Sequence, residues 1–300
     1  MVAAQRTHSG RHVALIVSYH GGAYHGFQDQ TGQNTVQGRL QDALSDLAGV
    51  PVTVRGAGRT DAGVHAAGQV VDCWLPESLT LPVARVPLAL AARLPADVTV
   101  ASAWSVSPRF HARFTAETKC YRYLIWRQAT VSPFARPFAW HYHGALDVAA
   151  MAAAAPHLEG RHDLRVFAGA ARPVNDATRT VVGCYVGSAG PWLVIRLEAD
   201  GFLYRMVRSM AGTLWRVGTG ALRPDALPEM IRRGQRAEAG PSLPPQGLCL
   251  LWVRYPEGQG LPPPSHGAWP PPPGPSDPWT GSDGWVPGGH GEPEPSSARR

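Results

Sequence analysis

Arg55-Gly56-Ala57-Gly58-Arg59-Thr60-Asp61-Ala62-Gly63-Val64-His65 links two β-rich runs, residues 52–55 and 69–75. Three glycines among these eleven residues let the backbone take positive φ and come close to a ligand. An acid, Asp61, and a base, Arg59, stand two apart on a strand-to-strand loop, where side chains can reach into a cleft. The same composition also fits an ordinary turn with a solvated Asp and Arg. A dinucleotide or P-loop site is excluded, because neither Gly-x-Gly-x-x-Gly opening a helix nor Gly-Lys-Ser/Thr occurs here.

Outward from this loop, strands and helices alternate. Residues 12–19 are β-rich and lead into Gly21-Gly22. Residues 35–48 read as a helix, with Asn34 and Gln37 spaced as a capping box and Gly49 past the last turn. Its residues Val36, Leu40, Ala43, Leu44 and Leu47 fall on one stripe. A helix over 83–94 and a strand over 98–104 complete the first half. The second half offers a strand at 121–126, a helix at 147–157 and strands at 180–186 and 193–197. Helices at 203–217 and 224–233 and a strand at 248–255 follow. Both halves thus run strand, helix, two strands, helix, strand, the order of the split β-α-β ferredoxin-like unit. The expected class is α+β. Two ferredoxin-like halves, residues 12–106 and 107–256, form one continuous, mainly antiparallel sheet with helices on one face and a central cleft. Residues 1–11 are a short leader. Residues 260–300 contain twelve prolines and almost no aliphatic side chains. Such a segment buries too little apolar surface to offset its ordering entropy, so 257–300 is expected to be a disordered tail.

Composition narrows the partners. The net charge is +6, but residues 257–300 contribute −3, which leaves +9 on residues 1–256. That balance suits a polyanion, whose counterions are released on binding, and it also suits a merely soluble surface. No apolar run approaches the roughly 20 residues of a bilayer span, and the N-terminus lacks a secretory apolar region; the expected compartment is the cytoplasm. Cys73, Cys120, Cys184 and Cys249 are far apart in apolar runs and are expected to be buried free thiols. His141 and His143 lack a third clustered ligand, so no metal site is expected.

Gly58-Arg59-Thr60-Asp61-Ala62-Gly63-Val64-His65-Ala66, with Gly68-Gln69-Val70 after it, resembles the catalytic signature of the tRNA pseudouridine synthase A family. Further blocks agree in order: Tyr24, Gly26-Phe27-Gln28 and Gln30; Phe110-His111-Ala112-Arg113-Phe114; Lys119-Cys120-Tyr121-Arg122-Tyr123; Phe202 to Gly212 with Met206-Val207-Arg208; and Gly247-Leu248-Cys249-Leu250. The resemblance implies isomerisation of uridine to pseudouridine in the tRNA anticodon arm, at positions 38, 39 and 40. It implies no cofactor, because nothing is oxidised, reduced or transferred to a second molecule, and it implies a homodimer. By this resemblance Asp61 is the catalytic carboxylate, acting either as nucleophile on sugar or base or as base toward a sugar proton. Arg208, set among Met206, Val207 and Met210 where a helix wants apolar neighbours, is implied as its cationic partner. Arg59 is the candidate to fill the stack left by the extruded base, and Tyr121 to lie on the flipped uracil. Phe110, His111 and Arg113 are expected to shape the cleft wall, with no chemical step. Two positions depart from the family pattern: His20 where an acid is usual, and Leu164 where an aromatic is common. Rival readings are a catalytically inactive tRNA-binding or tRNA-folding factor and a hydrolytic nucleosidase using Asp61.

Overall fold

A computed structural model describes residues 10–169, 175–259 and 261. The expected leader and tail lie almost wholly outside these described residues. The first half runs β1 (Arg11–Tyr19), α1 (Val36–Ala48), β2 (Arg55–Gly56), β3 (His65–Leu75), α2 (Val86–Ala91) and β4 (Val98–Ser105). The second opens with β5 (Thr118–Trp126), β6 (Trp140–His141), α3 (Val148–Ala154), β7 (Gly160–Asp163) and β8 (Thr178–Ala189). It ends with β9 (Trp192–Ala199), α4 (Met206–Gly218), α5 (Leu227–Arg233) and β10 (Leu248–Arg254).

The strands form one sheet in the order β4-β1-β3-β10-β5-β9-β8-β7, with β2 on β3 and β6 on β5. Within it β4-β1-β3-β2 and β10-β5-β9-β8 repeat one arrangement: fourth, first, third, second. That is the ferredoxin-like order in each half. Pairing is antiparallel except between β3 and β10 and between β5 and β6. β3 carries the seam. β2 pairs with its far part, Arg55 opposite Asp72, while β10 pairs with its start, Cys249 opposite His65 and Leu250 opposite Ala66. The loop of residues 57–64 therefore emerges where the two halves meet. β3 is buried along almost its whole length, as a central strand covered on both faces must be. α4 is also buried on most sides, including at Arg208, Ser209 and Thr213.

Several expected elements differ, each for a local reason. Thr35, not Asn34, caps α1, its hydroxyl accepting the Gly38 N–H at 3.3 Å. The Asn34 amide instead donates to the Ala23 carbonyl (2.9 Å), and Gln37 Oε1 accepts the Asp29 N–H (2.9 Å). The run 52–55 pairs as a strand only at its end. Val52 and Val54 are buried, but their N–H groups donate to Ser45 Oγ (2.9 Å) and Gln41 Oε1 (3.1 Å), and Gln37 Nε2 donates to the Val54 carbonyl (2.7 Å). Polar side chains of α1 thus take backbone groups that a strand would otherwise satisfy. The helix expected over 83–94 is a 3-10 turn at Val83–Arg85 followed by the short α2, with Pro87 in its first turn. α4 starts at Met206 rather than 203, because Arg205 before it is left-handed, with φ 58°.

Candidate active site

The loop that carries Asp61 is gripped from several directions. Gln69 on β3 holds Gly58 with both ends of its amide: Nε2 donates to the Gly58 carbonyl at 2.9 Å and Oε1 accepts the Gly58 N–H at 3.3 Å. The Thr60 hydroxyl meets the Tyr19 hydroxyl at 2.8 Å, and the Thr60 carbonyl accepts the Phe27 N–H at 3.0 Å. Gly26 makes the close approach possible. Its φ is +97°, and a Cβ there would lie 2.8 Å from the Thr60 carbonyl oxygen. At the loop's exit His65 is buried, accepting the Gly21 N–H at Nδ1 (3.1 Å) and reaching the Pro137 carbonyl from Nε2 (2.9 Å). Burial first, and His20 second, push its pKa down to about 4, which keeps the ring neutral. His20, in the position where an acid is usual, faces His65 with ring centroids 4.6 Å apart.

Asp61 and Arg208 come together from opposite halves. Arg208 Nη1 donates to Asp61 Oδ2 at 2.8 Å, with 10% of the Arg208 side chain and 19% of the Asp61 side chain exposed. The pair is therefore largely withdrawn from water yet open on the carboxylate side. Among the described residues, Asp61 Oδ1 accepts no hydrogen bond. Arg208 Nε donates to the Leu243 carbonyl at 2.6 Å, and the Leu243 N–H returns a bond to the Arg208 carbonyl at 3.3 Å. A segment of residues 240–247 is thus laid along α4. Gly212 permits this, since a Cβ there would collide with the Pro241 carbonyl, and the Gly240 N–H donates to Thr213 Oγ1 at 2.8 Å.

The floor is β5. Side chains two apart on a strand share a face, and Tyr121 and Tyr123 both turn toward the site. The Tyr123 hydroxyl donates to the Pro244 carbonyl at 2.8 Å, which supports the 240–247 segment from below. Tyr121 is buried, its ring edge-on to Phe202 at 5.1 Å. Its phenol pKa is pushed up by burial first, then by Tyr19 and Asp61 nearby, so the hydroxyl keeps its proton. Arg59 is exposed at the rim.

Of the residues singled out from sequence, the structure brings together Asp61, Arg208 and Tyr121, and leaves Arg59 outside the pair, facing solvent. Phe110 is buried against Tyr255, whereas Phe114 is exposed with the Arg113 guanidinium over its ring. Leu164 is fully buried in the core. Three supports were given no role from sequence, although Gln69 and Gly212 stand in the quoted blocks: the Leu243 carbonyl, the Gln69 amide and the Gly212–Gly240 contact. A glycine inside an amphipathic helix, matched to a Gly-Pro-rich segment downstream, is the signal that could have exposed the last of these. All four cysteines are free and buried. Among the described residues no group of three or more His, Cys, Asp or Glu side chains is placed to hold a metal, and no helix is long and apolar enough to cross a membrane. A cavity of about 370 Å³ bounded by Arg127, Gly144 and Pro191 lies beyond the other end of β5 and has no carboxylate in its wall.

This geometry defines an enzyme-like site: a carboxylate–guanidinium pair at the seam of a duplicated α+β sheet. The chain matches the family described as tRNA pseudouridine synthase over residues 15–115 and 154–256. A protein of Moorella thermoacetica named tRNA pseudouridine synthase A is 44% identical over 243 residues, covering 80% of this chain and 98% of the relative. Proteins of the same name from Thermosynechococcus vestitus and Syntrophomonas wolfei are 42% and 43% identical, covering 86% and 82% of this chain and 90% and 98% of the relatives. The chain belongs to the tRNA pseudouridine synthase family.

Proposed function

We propose that this protein isomerises uridine to pseudouridine in tRNA, with Asp61 as its catalytic carboxylate. The N1–C1′ glycosidic bond of the target breaks, the uracil turns within the site, and C5 bonds to the same C1′. The C5 proton leaves and N1 gains one, so atoms and electrons balance without a cofactor. The observation that carries this reading is the Asp61–Arg208 pair, fixed at the seam with one carboxylate oxygen uncommitted. Asp61 supplies the anion, whether by attack on sugar or base or by removing a sugar proton. Arg208 keeps a positive charge beside it, itself anchored by the Leu243 carbonyl. Tyr121 offers its ring to the uracil and a protonated hydroxyl to its polar edge.

A stacked uridine must leave its helix or loop, at a cost of a few kcal/mol. Arg59, exposed at the rim, is suited to occupy the vacated stack, since a guanidinium plane stacks on bases. The motif resemblance supports the finer assignments: the anticodon arm, positions 38, 39 and 40; a homodimer; and action in the cytoplasm, where tRNA is used. It also supports treating residues 12–106 and 107–256 as the two functional halves.

The test is release of tritium from tRNA labelled at uridine C5, without added cofactor. The wild-type chain releases tritium, and Asp61→Asn does not while still binding tRNA. Binding without release by the wild type would instead identify an inactive tRNA-binding or tRNA-folding factor. Free uracil and an abasic site would identify a nucleosidase. Site-by-site mapping of the product tests the anticodon-arm assignment, and sedimentation tests the dimer.

A further inference from the structure

Lys119 is the only lysine among 28 lysines and arginines in the chain. It lies two residues before Tyr121 on β5, so it continues the row Lys119–Tyr121–Tyr123 along the face that floors the site. Gly58 bridges its stem and the active tyrosine. A Cβ built there would lie 3.7 Å from Tyr121 Oη and 3.9 Å from Lys119 Cδ. Lys119 thus borders the Asp61 loop at the end of the row opposite to the one Tyr123 closes against Pro244.

Its charged neighbours are mostly of its own sign. Arg113 from the Phe110–Phe114 block and Arg179 from β8 both disfavour its charge, and Asp200 alone among its named neighbours favours it. Asp200 Oδ1 is occupied by the Thr180 N–H at 3.0 Å. Arg179 reaches the Thr178 carbonyl at 2.6 Å and passes beside Gly201. Among the described residues, Lys119 has no hydrogen-bond acceptor and no carboxylate within ion-pair distance. Burial first, then Arg113, lowers its pKa to about 8. Lys119 is thus a half-buried cation whose ammonium has no partner among the described residues, beside the loop that carries Asp61. A bound anion would relieve that arrangement, and a compact ammonium is a good point-charge ligand for phosphate.

We propose that Lys119 holds a backbone phosphate of the tRNA next to the extruded uridine. Two residues along a strand are about 7 Å apart, comparable to the separation of a nucleotide's base from its own phosphate. The uracil over Tyr121 and the phosphate at Lys119 would then be fixed by neighbouring side chains of one strand. This rests on the tRNA-modifying function proposed above, and the contact is to the backbone, so it is indifferent to base sequence.

The experiment compares Lys119→Met, which keeps most of the stem, and Lys119→Arg with the wild type, all checked for equal thermal unfolding. Binding of unmodified tRNA is measured across salt concentrations, and tritium release gives kcat and KM. Lys119→Met should raise Kd and KM by about fivefold, leave kcat within about twofold, and reduce the slope of log K against log salt by about one. Lys119→Arg should restore both affinity and slope. An unchanged salt slope with Lys119→Met, or a loss confined to kcat, overturns the phosphate assignment. Absence of tritium release by the wild type would instead strike at the proposed function, so the two failures are distinguishable.

Discussion

Two aspartates eleven residues apart on one stretch of chain are both paired with arginine, and the structure treats them in opposite ways. Asp72, in the middle of β3, is completely buried and saturated. Its Oδ2 meets His12 Nε2 at 2.9 Å and Arg55 Nε at 2.9 Å, with a second Arg55 contact from Nη2, while Oδ1 accepts the Ala112 N–H at 2.8 Å. Burial pushes its pKa up, but His12, Arg55 and the Ala112 N–H together outweigh that and hold it below the usual carboxylate range. Asp61 keeps one oxygen uncommitted and part of its surface open. Saturation turns a buried acid into a fastener: Asp72 ties β1, β3 and the 107–114 segment together. Incompletion leaves Asp61 available to a reactant.

If that contrast holds, mutation should divide activity from stability. Asp61→Asn has the largest expected effect, a loss of tritium release of about a thousandfold or more, with the unfolding midpoint nearly unchanged. Retained turnover would erase the distinction. Asp72→Ala leaves the buried His12 ring and the Ala112 N–H without their acceptor, while Arg55 can turn to solvent, and should lower unfolding free energy by about 2–4 kcal/mol, measured in urea. A loss under 1 kcal/mol would show that the network is not a fastener.

His65, between the two acids at the seam, sharpens the comparison through pH. Its folded pKa, about 4, lies below the ordinary value of 6.5, so the unfolded chain binds more protons in that interval. The stability it contributes is fully present above about pH 6.5 and declines as pH falls toward the folded value. Urea midpoints taken from pH 7 to 4 should fall along that course, and His65→Gln should flatten it. The smallest expected change is at the rim: Arg59→Ala should leave unfolding free energy within about 0.5 kcal/mol while slowing turnover. A stability loss approaching that of Asp72→Ala would place Arg59 in the framework rather than at the mouth.

Much of the architecture was legible because it follows from periodicity. The β-rich run of β1, the single apolar stripe of α1 and the strand–helix order of each half lead to the α+β class and to the duplicated arrangement of the sheet. What was not legible depends on contacts between distant residues. The Val52–Val54 backbone is satisfied by glutamine and serine side chains of α1, which no local pattern announces. Asn34 looked like a cap but serves the turn at Ala23. For the site, the motif blocks supplied the names Asp61, Arg208 and Tyr121, and the structure supplies the 2.8 Å contact between the first two. The Leu243 carbonyl that anchors Arg208 was invisible, because any residue type offers a carbonyl and sequence carries no mark of it. Lys119 stood in a quoted motif without a role, since only the fold sets it beside Gly58 in the loop that carries Asp61.

β10 has a consequence for biosynthesis. It is the last strand among the described residues, yet it sits between β3 and β5 at the centre of the sheet, and the residues just before it buttress Arg208. A ribosome that has made only the first two hundred residues has produced a polypeptide with Asp61 but no Arg208 and a bare inner edge on β3. Such an edge invites pairing with other chains. Competence therefore arrives late and all at once, when the final strand slots in, and prematurely terminated chains should be inert and prone to aggregate.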